Sequence, residues 1–122
     1  MNEVSRLNSR TIGSTYEQIA GTYLKEQGYE IIEYNFHSKN GEVDIIAKEQ
    51  EYLVFVEVKY RKDCKKGHPL EAVSVAKQKR ISKSALFYLQ KKNIFGIPVR
   101  FDVVAILGNQ IELVKNAFSF HM

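Results

Sequence analysis

The sequence has few of the features that mark disulfide-bonded, secreted or membrane-spanning proteins. Cys64 is its single cysteine, so the chain cannot form an internal disulfide. No run of about 18 apolar residues occurs, which predicts no membrane span. The first residues, Met1 to Arg6, lack an apolar signal core, so we expect no secretion. Together these absences favour a cytoplasmic protein.

Repeats, low-complexity tracts and zinc-ligand spacings are also missing. The histidines show no metal-ligand spacing with one another or with the cysteine: His37, His68 and His121. A length of 122 residues is enough for one domain with a real core and too short for two. The sequence therefore predicts a flexible N-terminal arm, residues 1–12, followed by a single domain, residues 13–122.

The charge is distributed unevenly along the chain. The formal net charge is +4, but residues Lys59 to Lys92 alone carry +9 and the remainder carries −5. A basic half beside an acidic half suits the binding of a polyanion such as nucleic acid. A solvated, lysine-rich helix explains the same basic stretch without any partner. Charge alone therefore leaves both interpretations open.

Hydrophobic periodicity predicts the order helix, three strands, helix, and one or two strands. The predicted helices are Ser14–Gln27 and Val75–Lys92, and the predicted strands are Glu30–Phe36, Glu42–Lys48, Tyr52–Lys59, Val99–Leu107 and a short Ile111–Lys115. Gly28 suits the position just after the first helix, and Asn40-Gly41 signals a hairpin. The first three strands should form an antiparallel meander. The second helix then returns the chain to a further strand, which predicts an α/β fold with a mixed central sheet flanked by helices.

Two of the apolar strands carry charged residues, which buried strands rarely do without a reason. Alternation places Glu57 and Lys59 on one face of the third strand, and Asp44 lies in the second strand. If the faces coincide, Asp44 and Glu57 converge on one cation beside Lys59. Paired carboxylates suit Mg²⁺ or Mn²⁺, which polarises a phosphodiester, while a lysine stabilises the developing charge. An ordinary ion pair explains Glu57 and Lys59 but not Asp44.

Several other charged residues are candidates for the same site. Glu17 lies at the margin of the apolar face of the first helix, but it also has capping-box spacing to Ser14, so both roles stay open. Lys77 falls on the inward face of the second helix, where it either reaches a bound phosphate or covers apolar surface with its stem. A loop after the third strand carries four cations that suit a nucleic-acid backbone: Arg61, Lys62, Lys65 and Lys66.

These motifs resemble the YraN-like family, small bacterial proteins regarded as predicted endonucleases. The resemblance covers about residues 13–107 and rests chiefly on Gly13-x3-Glu17, Gly41-Glu42-Val43-Asp44-Ile45-Ile46, Val54-Phe55-Val56-Glu57-Val58-Lys59-x-Arg61 and Arg100-Phe101-Asp102-Val103-Val104. That family is similar to archaeal Holliday junction resolvases of the PD-(D/E)xK nuclease superfamily. The resemblance therefore implies a restriction-endonuclease-like fold.

The resemblance also implies a role for each candidate residue. Glu17 matches the acid of the first helix, Asp44 the metal-binding aspartate, Glu57 the second ligand and Lys59 the catalytic lysine. All three acids are then metal ligands, and the implied cofactor is Mg²⁺ or Mn²⁺. Related resolvases work as dimers to cut two strands, so a homodimer is compatible with the resemblance.

One position departs from the family pattern. The family usually carries an arginine two residues after Asn35, where this sequence has His37. A largely neutral histidine would contact phosphate more weakly. The leading hypothesis is a metal-dependent endonuclease acting on DNA, including branched or recombination intermediates. The alternatives are a non-catalytic module that binds nucleic acid or recruits a partner, and a structural adaptor that binds protein.

Overall fold

The apolar runs of the sequence form a five-stranded mixed sheet with a helix against each face. The structure is a computed structural model, and it describes residues 15–121. Its elements are α1 (residues 15–26), β1 (Glu30–Ser38), β2 (Gly41–Glu49), β3 (Tyr52–Arg61), a 3₁₀ turn (Pro69–Ala72), α2 (Val75–Lys91), β4 (Val99–Leu107) and β5 (Gln110–Phe118). This order confirms the predicted α-β-β-β-α-β-β arrangement. The arm predicted over residues 1–12 lies outside the described residues.

The strands lie side by side in the order in which the chain visits them. β1, β2 and β3 pair antiparallel, as predicted for a meander. β4 pairs parallel with β3 after the α2 crossover, and β5 pairs antiparallel with β4. The sheet is therefore mixed, as expected. Within residues 15–121, no helix is long and apolar enough to cross a membrane.

Alternation along the strands divides the core between the two faces of the sheet. On one face α1 packs against β2, β3 and β4 through Ala20, Leu24, Tyr29, Ile45, Ala47, Val54, Val56, Val104 and Ile106. On the other face α2 packs through Phe36, Val43, Ile46, Leu53, Phe55, Ile81, Ala85, Tyr88 and Phe101. Each helix is consequently fixed to one side of β2 and β3, the strands that carry the predicted acids.

Capping interactions fix where each helix begins or ends. At the end of α1, the N–H of Tyr29 donates to the carbonyl of Leu24 at 3.0 Å, and that of Gly28 donates to Lys25 at 3.1 Å. Gly28 has φ +97°, so this is the glycine-terminated helix end that the sequence predicted. At the start of α2, Ser74 Oγ accepts from the N–H of Lys77 at 3.2 Å, which places Lys77 in the first turn.

Two details differ from the sequence expectation. The hairpin turn consists of residues 39 and 40, because Gly41 already pairs with Ser38 as the first residue of β2. β5 runs to Phe118 rather than ending at residue 115. Polar Asn116 interrupts the apolar alternation, but it sits at an irregularity of the β4–β5 ladder with φ +54°, where it donates its N–H to Asp102 Oδ1 at 2.9 Å. The strand then resumes.

A buried charge network lies at the end of the sheet where β2 finishes and β4 begins. Arg100 donates through Nε to Asp102 Oδ1 at 2.9 Å and through Nη2 to Glu49 Oε1 at 2.7 Å. Tyr29 donates its hydroxyl to Asp102 Oδ2 at 2.7 Å, and Lys115 Nζ lies 2.7 Å from Glu49 Oε2. Every charge here has an opposite partner, which supports a structural role for Arg100 and Asp102.

Replacing Asp102 with alanine should destabilise the fold strongly. Asp102 is fully buried, and its loss leaves Arg100 with one carboxylate partner and the N–H of Asn116 with none. We expect Asp102→Ala to lower the free energy of unfolding by about 3 kcal/mol or more, measured by urea denaturation. Tyr29→Phe is the control, because it removes one hydroxyl and should cost about 1 kcal/mol. Equal losses in the two variants would contradict a structural role for the Asp102 charge.

Candidate active site

The ladder between β2 and β3 opens near the start of β2, and Asp44 lies at the opening. The last paired residues are Ile45 and Val56, so continued pairing would place Asp44 opposite Glu57. Instead, the N–H of Val58 donates to Asp44 Oδ2 at 2.8 Å. β3 stays paired with β4 through Arg61, which holds this segment in place. A carboxylate thus replaces a strand as the hydrogen-bond partner of β3, and the strands separate around it.

Three carboxylates converge at the opening. Oxygens of Glu17, Glu42 and Asp44 all lie within 4.8 Å of one another. Glu17 projects from α1, whereas Glu42 and Asp44 occupy alternate positions of β2, as the alternation predicted. The negative charges of Glu57 and Glu17 also act on Asp44. The structure therefore groups two of the predicted acids, Glu17 and Asp44, with Glu42, whereas Glu57 lies outside this group of three.

Glu57 is buried and contacts two lysines from different elements. Its Oε2 lies 3.2 Å from Nζ of Lys59, two residues along β3, and 3.4 Å from Nζ of Lys77 in α2. The Glu57 side chain is only 3% exposed, whereas those of Lys59 and Lys77 are 26% and 28% exposed. Both lysines are therefore paired with Glu57 while their side chains remain partly accessible to solvent. Lys77 does point inward, as predicted, and its head reaches the carboxylate.

The electrostatics of the cluster favour the addition of positive charge. Burial, together with the nearby charges of Glu57 and Glu17, raises the pKa of Asp44 to about 8, although the N–H of Val58 acts in the opposite direction. Burial also raises the pKa of Glu17, against hydrogen bonds from Asn35 and Asp44 that lower it. Glu17, Glu42 and Asp44 share a small volume. Within residues 15–121, the lysine ion pairs at this site are those of Lys59 and Lys77 with Glu57, outside that group. A divalent cation among these oxygens would relieve the repulsion.

Two residues of the cluster were not assigned a role from the sequence. Asn35 lies between the residues of β1 that pair with Ile45 and Val43, hence opposite Asp44, and its side chain hydrogen-bonds Glu17. It has φ +54°, a conformation that asparagine tolerates better than most residues. Glu42 is an exposed residue near the start of β2, and the strand pattern alone does not place it in the cluster. The positions of both depend on the pairing of β1 with β2, which the strand pattern alone does not specify.

The predicted basic loop residues also come together. Arg61, Lys62, Lys65 and Lys66 line one cleft that starts at the end of β3. His37 is an exposed residue of β1, and its Nδ1 lies 3.2 Å from Glu42 Oε2. Cys64 lies in the same loop as an exposed thiol. The loop cations therefore continue from the strand that carries Glu57 and Lys59.

The pH dependence of stability should reveal the buried Asp44. Its pKa of about 8 exceeds the ordinary value of 3.8, so the folded state binds more protons between these limits. The contribution of Asp44 to the free energy of unfolding must then fall as the pH rises from about 4 to about 8. We expect the Tm of the metal-free protein to drop more between about pH 6 and about pH 8 than that of Asp44→Asn. Scanning calorimetry in chelator measures both profiles, and parallel profiles would contradict the expectation.

Comparison with known proteins places this chain in a family. A model of the uncharacterised protein family UPF0102 matches residues 16–106. A UPF0102 protein of Lachnoclostridium phytofermentans is 48% identical over 113 residues, covering 92% of this chain and 96% of the relative. One from Syntrophus aciditrophicus is 50% identical over 115 residues, covering 91% and 90%. A third, from Geotalea uraniireducens, is 46% identical and covers 97% of each chain. The YraN-like resemblance is thereby confirmed, and the chain belongs to the UPF0102 family.

Proposed function

We propose that this protein is a magnesium-dependent endonuclease that hydrolyses phosphodiester bonds in DNA. The observation that supports the proposal is the grouping of Glu17, Glu42 and Asp44 where β2 and β3 separate. Beside this group, Glu57 adds its charge to that of Asp44 and pairs with Lys59 and Lys77. The site therefore places carboxylates that can bind a metal ion beside two lysines whose side chains are partly accessible. Hydrolysis of a phosphodiester needs both, because the attacked phosphate and its leaving oxygen carry negative charge.

The donor atoms fit a hard divalent cation. All the candidate ligands are carboxylate oxygens, which Mg²⁺ and Mn²⁺ prefer over nitrogen or sulfur. Glu17, Glu42 and Asp44 would hold the ion, because their oxygens lie within 4.8 Å of one another. The family resemblance adds Glu57 as a further ligand. When bound, Mg²⁺ supplies Lewis-acid polarisation of the phosphate and lowers the pKa of a water. Burial, followed by the charges of Glu57 and Glu17, raises the pKa of Asp44, and a bound cation would offset both effects.

The chain itself supplies orientation and positive charge. The N–H of Val58 holds one oxygen of Asp44, which restricts how this carboxylate can turn. Lys59 is positioned by Glu57 and keeps part of its side chain accessible, so its ammonium can stabilise charge developing on the phosphate. Lys77 approaches the same carboxylate from α2 and can contact a neighbouring phosphate oxygen. The loop cations then bind the backbone of the substrate strand.

Several finer features belong to the same proposal. The arrangement of an acid on the first helix, an aspartate on β2 and Glu-x-Lys on β3 supports a restriction-endonuclease-like core. Resemblance to junction resolvases supports branched or recombination intermediates as substrates. It also supports a homodimer, since cutting two strands needs two active sites. We further infer that the enzyme works in the cytoplasm, as the single cysteine favours.

Cleavage of a substrate panel tests the proposal directly. Labelled four-way junction, flap, single-stranded and duplex DNA would be incubated with Mg²⁺ and each protein variant. We expect Asp44→Ala to lower the cleavage rate at least about 100-fold, and Lys59→Ala about as much, because one removes a metal ligand and the other the charge next to the phosphate. Lys48→Ala is a matched control: Lys48 is exposed on the same β2 strand but lies outside the cluster.

The control variant should cleave like the wild type in every reaction. Unchanged cleavage in both Asp44→Ala and Lys59→Ala would remove the proposal. Cleavage that needs no divalent ion would remove the assigned cofactor as well. Circular dichroism of each variant shows whether a loss of cleavage comes from unfolding or from the loss of the substituted side chain.

Lys77 provides a second test, on a helix instead of a strand. We expect Lys77→Met, which keeps an apolar stem, to lower single-turnover cleavage about tenfold, because Glu57 then loses one of its two cations. Lys79→Met removes an exposed lysine from the same helix and should change the rate less than about twofold. Equal effects of the two substitutions would show that Lys77 contributes only to the general positive charge of α2.

The alternative function is a nucleic-acid-binding module that retains the fold without cutting. The observation that favours it is His37, which contacts Glu42 at the position where the family usually has arginine. Titration calorimetry with Mg²⁺ and Mn²⁺ distinguishes the two functions. Binding that Asp44→Ala abolishes supports the nuclease. Salt-sensitive DNA binding with no divalent ion bound supports the module.

A further inference from the structure

Two tyrosine rings from different elements stack against each other. The rings of Tyr16 and Tyr60 lie with their centroids 3.8 Å apart and their planes 15° from parallel. Tyr16 precedes Glu17 in α1, and Tyr60 follows Lys59 in β3, so both are sequence neighbours of candidate site residues. A hydrogen bond to Tyr60 also raises the pKa of Tyr16. The Tyr60 ring at the end of β3 is therefore held by its contact with α1.

Packing explains Tyr16 better than it explains Tyr60. Tyr16 is partly buried and packs against the core cluster between α1 and the sheet. Tyr60 remains 37% exposed and is the first residue of the basic cleft. Packing in the core therefore does not account for the partly exposed ring of Tyr60 at the start of a loop with four cations. A ring fixed in this orientation before a ligand arrives would lose little side-chain entropy on binding.

The cleft that Tyr60 lines has the size and charge of a site for one nucleotide. Its volume is about 460 Å³, and its other lining residues are Arg61, Lys62, Asp63, Lys65 and Lys66. Small-ligand pockets occupy about 300–1,000 Å³. Four cations against one carboxylate favour an anion, and the aromatic ring favours a planar group.

Internal hydrogen bonds give the cleft a defined shape. Arg61 donates through Nη1 to the carbonyl of Lys66 at 3.1 Å, and the N–H of Lys65 donates to Asp63 Oδ1 at 3.0 Å. The N–H of Gly108 donates to the carbonyl of Arg61 at 2.8 Å, which ties the loop to the turn after β4. The cations are thus arranged around the cleft by backbone contacts as well as by charge.

We propose that this cleft binds one unpaired nucleotide of the substrate strand, with its base stacked on Tyr60 and its phosphate held by the loop cations. The inference rests on the proposed function and defines the substrate class of the same site. A base inside a duplex has both faces covered by its neighbours, so it cannot stack on a protein ring without being unstacked first. Base–aromatic stacking is tolerant of sequence. The enzyme should therefore select DNA with unpaired nucleotides beside the cut, such as forks and flaps with a single-stranded tail, irrespective of sequence.

The test is DNA binding without cleavage. Fluorescence anisotropy in chelator at low salt would measure the affinity for a duplex and for the same duplex with a short unpaired tail. Tyr60→Leu keeps apolar volume but cannot stack, and Tyr60→Phe keeps the ring. We expect Tyr60→Leu to weaken binding of the tailed DNA at least about fivefold and of the duplex less than about twofold. Tyr60→Phe should retain the wild-type preference.

A charge variant and a fluorescent base complete the design. Lys65→Ala removes a backbone contact and should weaken both DNAs by a similar factor. A 2-aminopurine in the first unpaired position should lose fluorescence on binding to wild type and to Tyr60→Phe, but not to Tyr60→Leu. Thermal unfolding of the variants shows that each is folded before binding is measured.

The outcomes separate the two proposals. Equal loss for both DNAs in Tyr60→Leu, or unchanged 2-aminopurine fluorescence, overturns stacking while leaving metal-dependent cleavage intact. Stacking with no cleavage of any substrate overturns the nuclease and leaves an unpaired-nucleotide binder. Failure of the wild type to bind any DNA at low salt overturns both, because backbone contacts are strongest there.

Discussion

The hydrogen bond from the N–H of Val58 to the carboxylate of Asp44 determines the arrangement of the site. A strand in the interior of a sheet normally satisfies its N–H groups with a neighbouring strand. β3 does so on its β4 side through Arg61, but on its β2 side the ladder stops after Val56 and a side chain takes over. The strands can then separate without leaving that donor unpaired. The separation lets an acid from α1 approach from one face and a lysine from α2 approach from the other.

This geometry explains why acidic residues are tolerated inside an apolar sheet. A buried carboxylate is costly unless it is hydrogen-bonded or paired. Asp44 has the backbone donor, and Glu57 has two lysines, yet the cluster as a whole still holds more carboxylates than it holds cations in contact with them. Burial and mutual repulsion raise the pKa of Asp44 as a result. Burial of these acids and the repulsion among them lower the stability of the folded state locally, as is typical of sites that bind a charged ligand.

Much of the fold followed from periodicity because the strands are long and strongly apolar. β4 was predicted with its observed bounds and β3 was predicted two residues short. Gly28 was predicted to lie just after the first helix, where it adopts a positive φ. The extension of β5 to Phe118 was missed because its apolar alternation breaks at Asn116. The N–H of Asn116 instead donates to the side chain of Asp102, a residue of the neighbouring strand β4. A contact between residues 14 positions apart leaves no local pattern in either segment.

The site was predictable to the extent that it depends on alternation within single strands. Glu57 and Lys59 share a face wherever β3 is placed, whereas Glu17 could equally have capped its own helix through Ser14. Its contact with Asp44 depends on how α1 crosses the sheet, and the role of Asn35 depends on the register of β1. Tyr60 lies on the opposite face of β3 from Lys59, so alternation alone separates it from the site. Its stacking on Tyr16, a residue of α1, is a contact between distant elements that the sequence pattern does not show.

Two clusters of charged residues lie at opposite ends of the same sheet, and they differ in how completely their charges are paired. Around Arg100, the acids Glu49 and Asp102 are matched by Arg100, Lys115, a tyrosine hydroxyl and a backbone N–H. Around Asp44, acids gather from α1, β2 and β3, and the matching cations contact Glu57 alone. The first cluster lowers the pKa of its acid Glu49, and the second raises that of Asp44. Burial is the largest cause of the raised pKa of Asp44, and the charges of Glu57 and Glu17 add to it, whereas at Glu49 the hydrogen bonds from Lys115 and Arg100 outweigh burial. The charges around Arg100 are paired within the protein, whereas the cluster around Asp44 has the composition of a site that binds a cation.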